Sequence, residues 1–185
     1  MVMIVVIFAA VLVGAILVIR AAWFSFAAQR PGDYRGTSPG FDIVRVLGQS
    51  LLCEGAIFGP TGRVAARFTA GMEGRFDGRT GVIDETFAFA GGGVQLRQWQ
   101  ITMTGAQSFT ATAADIIGTA TGVAAGHALC MRYRLRLSGK HEGLVVNVRD
   151  WLYLLPDGTV LNRSQMRKFG ILVAELVATI RPVKG

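Results

Sequence analysis

The sequence predicts an all-β domain, an antiparallel meander closed into a barrel or folded as a sandwich, behind one apolar N-terminal helix. Three observations carry that prediction. From Ser50 onward apolar residues recur with a period of two, the spacing of a strand with one buried face. Turn signals divide this stretch: Gly59-Pro60-Thr61-Gly62, Asp77-Gly78, Gly91-Gly92-Gly93, Ser138-Gly139-Lys140 and Asp157-Gly158. No long amphipathic helix interrupts the series, and short strands joined by tight turns build meanders.

Residues 1–19 form an uncharged apolar run. At ~1.5 Å per residue a helix of this length spans a bilayer's hydrocarbon, roughly 30 Å thick. Arg20 is placed to snorkel, and Trp23, Phe24 and Phe26 stand where an aromatic belt sits. The competing reading is a cleaved signal peptide. Such peptides have a basic leading region and a shorter apolar run, and here the run begins at residue 1. An uncleaved single-pass anchor over residues 1–29 is the expectation.

Residues 30–40 hold two prolines and three glycines and read as a linker, with the β domain at 41–185. Residues 41–47 allow one or two helical turns. The strands are expected at 50–59, 63–73, 82–90, 94–104, 106–113, 117–125, 128–138, 143–155, 159–163 and 170–181. The clearest is 129–137: Leu129, Met131, Tyr133, Leu135 and Leu137 alternate with Cys130, Arg132, Arg134 and Arg136. In 94–104 the apolar phase shifts by one between Leu96 and Trp99, which predicts a bulge near Arg97-Gln98. Gly118, Gly122 and Gly126 would share one strand face and permit a bend or a close backbone approach.

The chain carries +7 net charge, of which the first 40 residues supply +2 through Arg20, Arg30 and Arg35 against Asp33. A basic domain beside a membrane points to anionic headgroups, with a plain arginine-rich soluble face as the alternative. The arginines after the helix favour a cytoplasmic domain. Cys53 and Cys130 are too few for a disulfide framework, though one disulfide fits an extracytoplasmic domain. With only His127 and His141 beside them, a zinc site would need all four residues to converge, and no metal site is expected. Gly91-Gly92-Gly93 lacks the Lys-Ser/Thr of a P-loop, and no G-x-S-x-G elbow is present. The basic residues match no nucleic-acid motif. Nothing in the chain calls for a cofactor, and no catalytic residue is assigned.

Several ordered blocks carry a resemblance: Arg67-Phe68, Gly71-Met72-Glu73-Gly74, Glu85-Thr86-Phe87, Arg97-Gln98-Trp99 and Asp115 through Ala120. They continue in Asp150-Trp151-Leu152-Tyr153-Leu154, Asn162-Arg163-Ser164 and Lys168-Phe169-Gly170. Over residues 41–182 the chain resembles the bacterial domain-of-unknown-function family 3833. The resemblance implies a lipocalin-like barrel of about 8–10 strands and a bacterial envelope protein. It supplies no reaction. Many relatives look like lipoproteins, but this chain has no cysteine before Cys53, so its anchor is the helix itself. That fits a single-pass protein of the bacterial inner membrane. The family favours a periplasmic domain and the arginines a cytoplasmic one, and the side stays open.

The acids of interest are Glu54, Glu85, Asp115 and Asp150. They are expected either to pair with Arg97, Arg132 and Arg134 or to orient a ligand's polar head. Trp99 and Trp151 are core aromatics or a stacking wall. Asn162 through Lys168 is a polar, basic connection, or a basic lip at a barrel mouth. The candidate ligand-binding residues are therefore Glu85, Arg97, Trp99, Asp115, Arg132, Arg134, Asp150, Trp151, Asn162 and Lys168. The leading expectation is a membrane-anchored module binding a lipid-like molecule such as a fatty acid or modified acyl chain, with membrane lipid as partner. One alternative is an accessory subunit docked on a larger membrane complex. Another is a barrel enzyme of isomerase or hydrolase type, which requires two or more of Glu85, Asp115, Asp150 and Arg97 to meet in one pocket.

Overall fold

Ten antiparallel strands close into a single barrel in the computed structural model, which describes residues 2–139 and 142–183. The strands are β1 (Ser50–Phe58), β2 (Val64–Asp77), β3 (Thr80–Phe89), β4 (Val94–Gly105), β5 (Ser108–Thr112), β6 (Ala120–Ala125), β7 (Ala128–Arg136), β8 (Val145–Leu154), β9 (Val160–Lys168) and β10 (Ile171–Pro182). Each pairs with its neighbours in sequence, and β1 pairs with β10 to close the ring. Closure leaves no sheet edge. Every strand expected from the period of two is present. The stretch 162–168 is not a connection, however: it makes up most of β9, paired with β8 and β10. His141 and Lys140 lie outside the described residues.

The expected bulge near Arg97-Gln98 is absent. β3 and β4 pair in unbroken register from Thr80–Thr102 to Ala88–Val94. Gln95, Arg97, Trp99, Ile101 and Met103 share the inner face, while Val94 and Leu96 are exposed outside. The apparent phase shift arises because the interior turns polar there. Irregularities in register fall instead near strand ends, at Ile57/Phe58, Met103/Gly105 and Leu172/Ala174.

A short helix seals one end. α1 spans Val2–Trp23 and α2 spans Ile43–Leu47. Asp42 caps α2 by accepting the Arg45 N–H at 2.9 Å. Ile43, Val46 and Leu47 are buried against the barrel core, together with Phe41. The carbonyl of Leu47 lies over Gly74, where an added Cβ would come within 1.7 Å of it. Glycine at 74 is what lets the plug seat.

Residues 30–40 do not hang free. A 3-10 turn at Phe26–Ala28 and another at Pro31–Tyr34 lie against the outer face of β7 and β8. Phe26, Tyr34 and Tyr153 pack around Ala128, Cys130 and Trp151, and Trp151 has no exposed surface. The hydroxyls of Tyr34 and Tyr153 both donate to Gln29 Oε1, at 2.5 and 2.6 Å. The strap is pinned below by Thr37, which receives the His127 N–H at 3.1 Å, and by the Phe41 N–H to Gly126 O at 2.7 Å. Only Gly122 of the three spaced glycines lies in a strand, above the Phe109 ring. Gly118 and Gly126 occupy connections with positive φ, and at Gly126 (φ 52°) a side chain would strike Tyr34 O at 1.9 Å.

Val2–Arg20 is the single helix, among the described residues, long and apolar enough to cross a membrane; its mean hydropathy is 3.4 and none of it is buried.

Candidate functional site

Inside the barrel is a cavity of about 360 Å³. Leu47 of the plug lies at its base, and it reaches the rim at Gln95, Arg136 and Ser138. Its wall is mostly apolar: Phe68, Phe87, Phe89, Met131, Leu152 and Leu176 among others. Phe68, Phe87 and Phe89 form a ring cluster with centroids 5.5–6.4 Å apart. A volume of this size falls within the range of small-ligand sites.

One patch of this wall is strongly polar. Arg97, inward on β4, grips Asp115 with two N–H groups: Nε to Oδ2 at 3.0 Å and Nη2 to Oδ2 at 2.7 Å. Its third nitrogen reaches Glu85 Oε2 only at 3.5 Å. The guanidinium stands 5.7 Å from the ring centres of both Phe87 and Trp99, a cation–π seat. Trp99 in turn meets Tyr133 edge-on at 5.4 Å. On β8, Asp150 accepts from Ser164 Oγ at 2.5 Å and from Asn162 Nδ2. Asn162 also donates to Trp151 O at 3.1 Å.

Two carboxylates, Asp115 and Glu85, thus share one guanidinium in a mostly apolar interior, and Asp150 feels its charge without touching it. Burial drives the Glu85 carboxyl up to about 7; Arg97 opposes that rise and the Asp150 charge adds to it. Burial also raises Asp150, against its hydrogen bonds from Ser164 and Asn162. Tyr133 is raised by burial and by the Asp150 charge, so it remains a donor. Cys53 is pushed up to about 12 by burial and by Glu85, and stands as an inert thiol on the cavity wall. Cys130 lies on the other side of the wall under the strap, so the two cysteines do not pair.

The structure brings Glu85, Arg97, Trp99, Asp115, Asp150 and Asn162 to the cavity. It places the other four elsewhere. Trp151 points out of the barrel, because its odd-numbered position on β8 faces the strap. Arg132 and Arg134 face outward from β7 and do not pair with the interior acids. Lys168 sits at the end of β9, where its amine donates to Val145 O at 2.8 Å. Glu54 pairs with Arg181 near the surface. Tyr133 and Ser164 belong to the cavity although sequence reasoning passed them over. Their signal was parity: Tyr133 alternates with the arginines of β7, and Ser164 is two residues from Asn162.

A closed ten-stranded antiparallel barrel with a ligand-sized interior defines the class: a lipocalin-like barrel. The S-type phycobiliprotein lyase CPES from Guillardia theta has a similar fold, with a TM-score of 0.54 at 4% identity, covering 80% of this chain and 99% of that one. The chain belongs to the family described as "Protein of unknown function (DUF3833)", whose model matches residues 21–182. No curated protein matches the chain.

Proposed function

We propose that this protein is a membrane-anchored carrier that holds one lipid-like molecule in its barrel, with the ligand's polar end against the Glu85–Arg97–Asp150 patch. The observation that carries the reading is the cavity: about 360 Å³, largely apolar, with the charges of Glu85, Arg97, Asp115 and Asp150 acting on one another inside it. That is the layout for an apolar tail and a single head. The apolar run Val2–Arg20, read as an uncleaved anchor, keeps the barrel beside its source of lipid.

The charge balance of the patch narrows the head group. Arg97 is already committed to Asp115. A fatty acid's carboxylate seated at the patch would face Glu85 and Asp150, and among the described residues the cation left to meet it is Arg136, out at the rim. A head that donates hydrogen bonds, such as an amine, hydroxyl or amide, would instead satisfy Glu85 and relieve its buried charge. Titrating the full chain in detergent with an alkyl amine, alcohol and acid of equal length tests this. Binding in the order amine, alcohol, acid is expected, with Glu85→Gln cutting the amine preference at least tenfold. Equal affinity for all three, or preference for the acid, contradicts the head-group reading.

A second reading is favoured by one observation. Glu85, held near 7 and beside Arg97, has the proton affinity of a general acid–base group at neutral pH. A barrel enzyme would return a bound lipid chemically altered, and Glu85→Gln would return it intact. Mass spectrometry of the recovered ligand separates carrier from enzyme.

A further inference from the structure

A second site lies outside the barrel, where the strap meets its wall. Arg132 and Arg134 of β7, Arg149 of β8 and Arg167 of β9 project into one groove of about 420 Å³. Arg132 sits directly opposite Arg149 in the ladder, and Arg134 and Arg167 flank Asn147 from either side. Directly opposed residues in antiparallel strands stand about 5 Å apart, and like charges there are destabilising. Among the described residues no carboxylate forms an ion pair with any of the four. Phe26 and Ala27 form one bank of the groove, and Ile117 and Thr119 the other. Arg149 is fixed by donating to Ala27 O, and Arg167 by donating to Gly170 O and Gln165 Oε1, both at 2.8 Å. The guanidinium of Arg149 is pulled down by burial and by Arg132 and Arg167, as a crowd of cations requires.

We infer that this four-arginine groove binds a phosphate-type oxyanion. Guanidinium forks match a tetrahedral oxyanion by paired N–H bonds, and one such anion removes the repulsion between Arg132 and Arg149. The groove begins three residues after α1 ends at Trp23. A lipid headgroup phosphate is therefore one source and free phosphate the other. The lipid source rests on the anchor reading above; neither source depends on what the cavity holds.

Thermal unfolding of the full chain tests the site at matched ionic strength. One arm uses detergent micelles with chloride or with inorganic phosphate. The other uses nanodiscs of phosphatidylcholine alone or mixed with phosphatidylglycerol. Phosphate about a hundredfold above its Kd raises Tm by about 5–10 °C. A rise in the phosphate arm assigns free phosphate; a rise with phosphatidylglycerol alone assigns the headgroup. Arg132→Gln gives a sign reversal: a higher Tm than wild type in chloride, and no further rise with the anion. Arg167→Gln likewise loses the anion response, while Arg45→Gln, at the sealed end, keeps it. No rise in either arm, or an equal rise with chloride, overturns the proposal.

Discussion

At Glu85 the folded chain binds a proton more tightly than the unfolded chain does. Its carboxyl moves from the ordinary 4.5 to about 7 on folding, chiefly through burial. Between those values the native state holds more protons, so stability falls as pH rises from about 4.5 to 7 and stays lowered above that. The loss is on the order of 3 kcal/mol, and Asp150, also raised, acts in the same direction. Urea midpoints measured at pH 5 and pH 8 will show it: wild type weakens at the higher pH, and Glu85→Gln flattens most of the difference. A wild type that gains stability over that range contradicts the buried-acid account. Arg97→Ala leaves Asp115 and Glu85 without their cation and is expected to cost about 3–5 kcal/mol in the same assay. Arg97→Lys recovers little, since a single ammonium cannot supply the two N–H bonds that hold Asp115. Residue chemistry was only half legible beforehand. Residue type marked Glu85, Arg97 and Asp115 as candidates. The polar inner face of β4 mimics a bulge in the sequence, because a hydrophobic pattern marks the inner face only where that face is apolar.

The elements were more legible than their partners. All ten strands appear in the period of two, since a barrel wall has one face on the core and one on water. The strap was not legible. Its prolines and glycines have the composition of a linker, and only the outward Trp151, Tyr153 and Cys130 give it a surface to cover. Two glycines test these contacts. Gly126→Ala forces a side chain into Tyr34 O and strains a positive φ. It is expected to cost about 2 kcal/mol or to lift the strap, read as a red shift of tryptophan emission when Trp151 meets water. Gly74→Ala strikes the Leu47 carbonyl and should unseat α2. Hydrogen exchange would then rise at residues 43–48 before it rises in the strands.

At the scale of the whole molecule, the meander closes on itself through β1 and β10, one helix seals one end, and an interior space remains. Closure could not be read from strand count, which fits a sandwich equally well. It depends on register, and the resemblance to family 3833 supplied the barrel expectation. The four-arginine groove was likewise out of reach of sequence, because Arg132, Arg149 and Arg167 meet only through strand pairing. The interior is proposed to carry a lipid-like molecule. Native mass spectrometry of the full chain, released from detergent, tests it most directly when wild type is compared with Met131→Trp, which narrows the cavity. Wild type is expected to carry a one-to-one adduct of a lipid with a donor-bearing head group, and the narrowed variant to lose most of it. A bare wild-type mass, or an adduct that Met131→Trp retains unchanged, would contradict it.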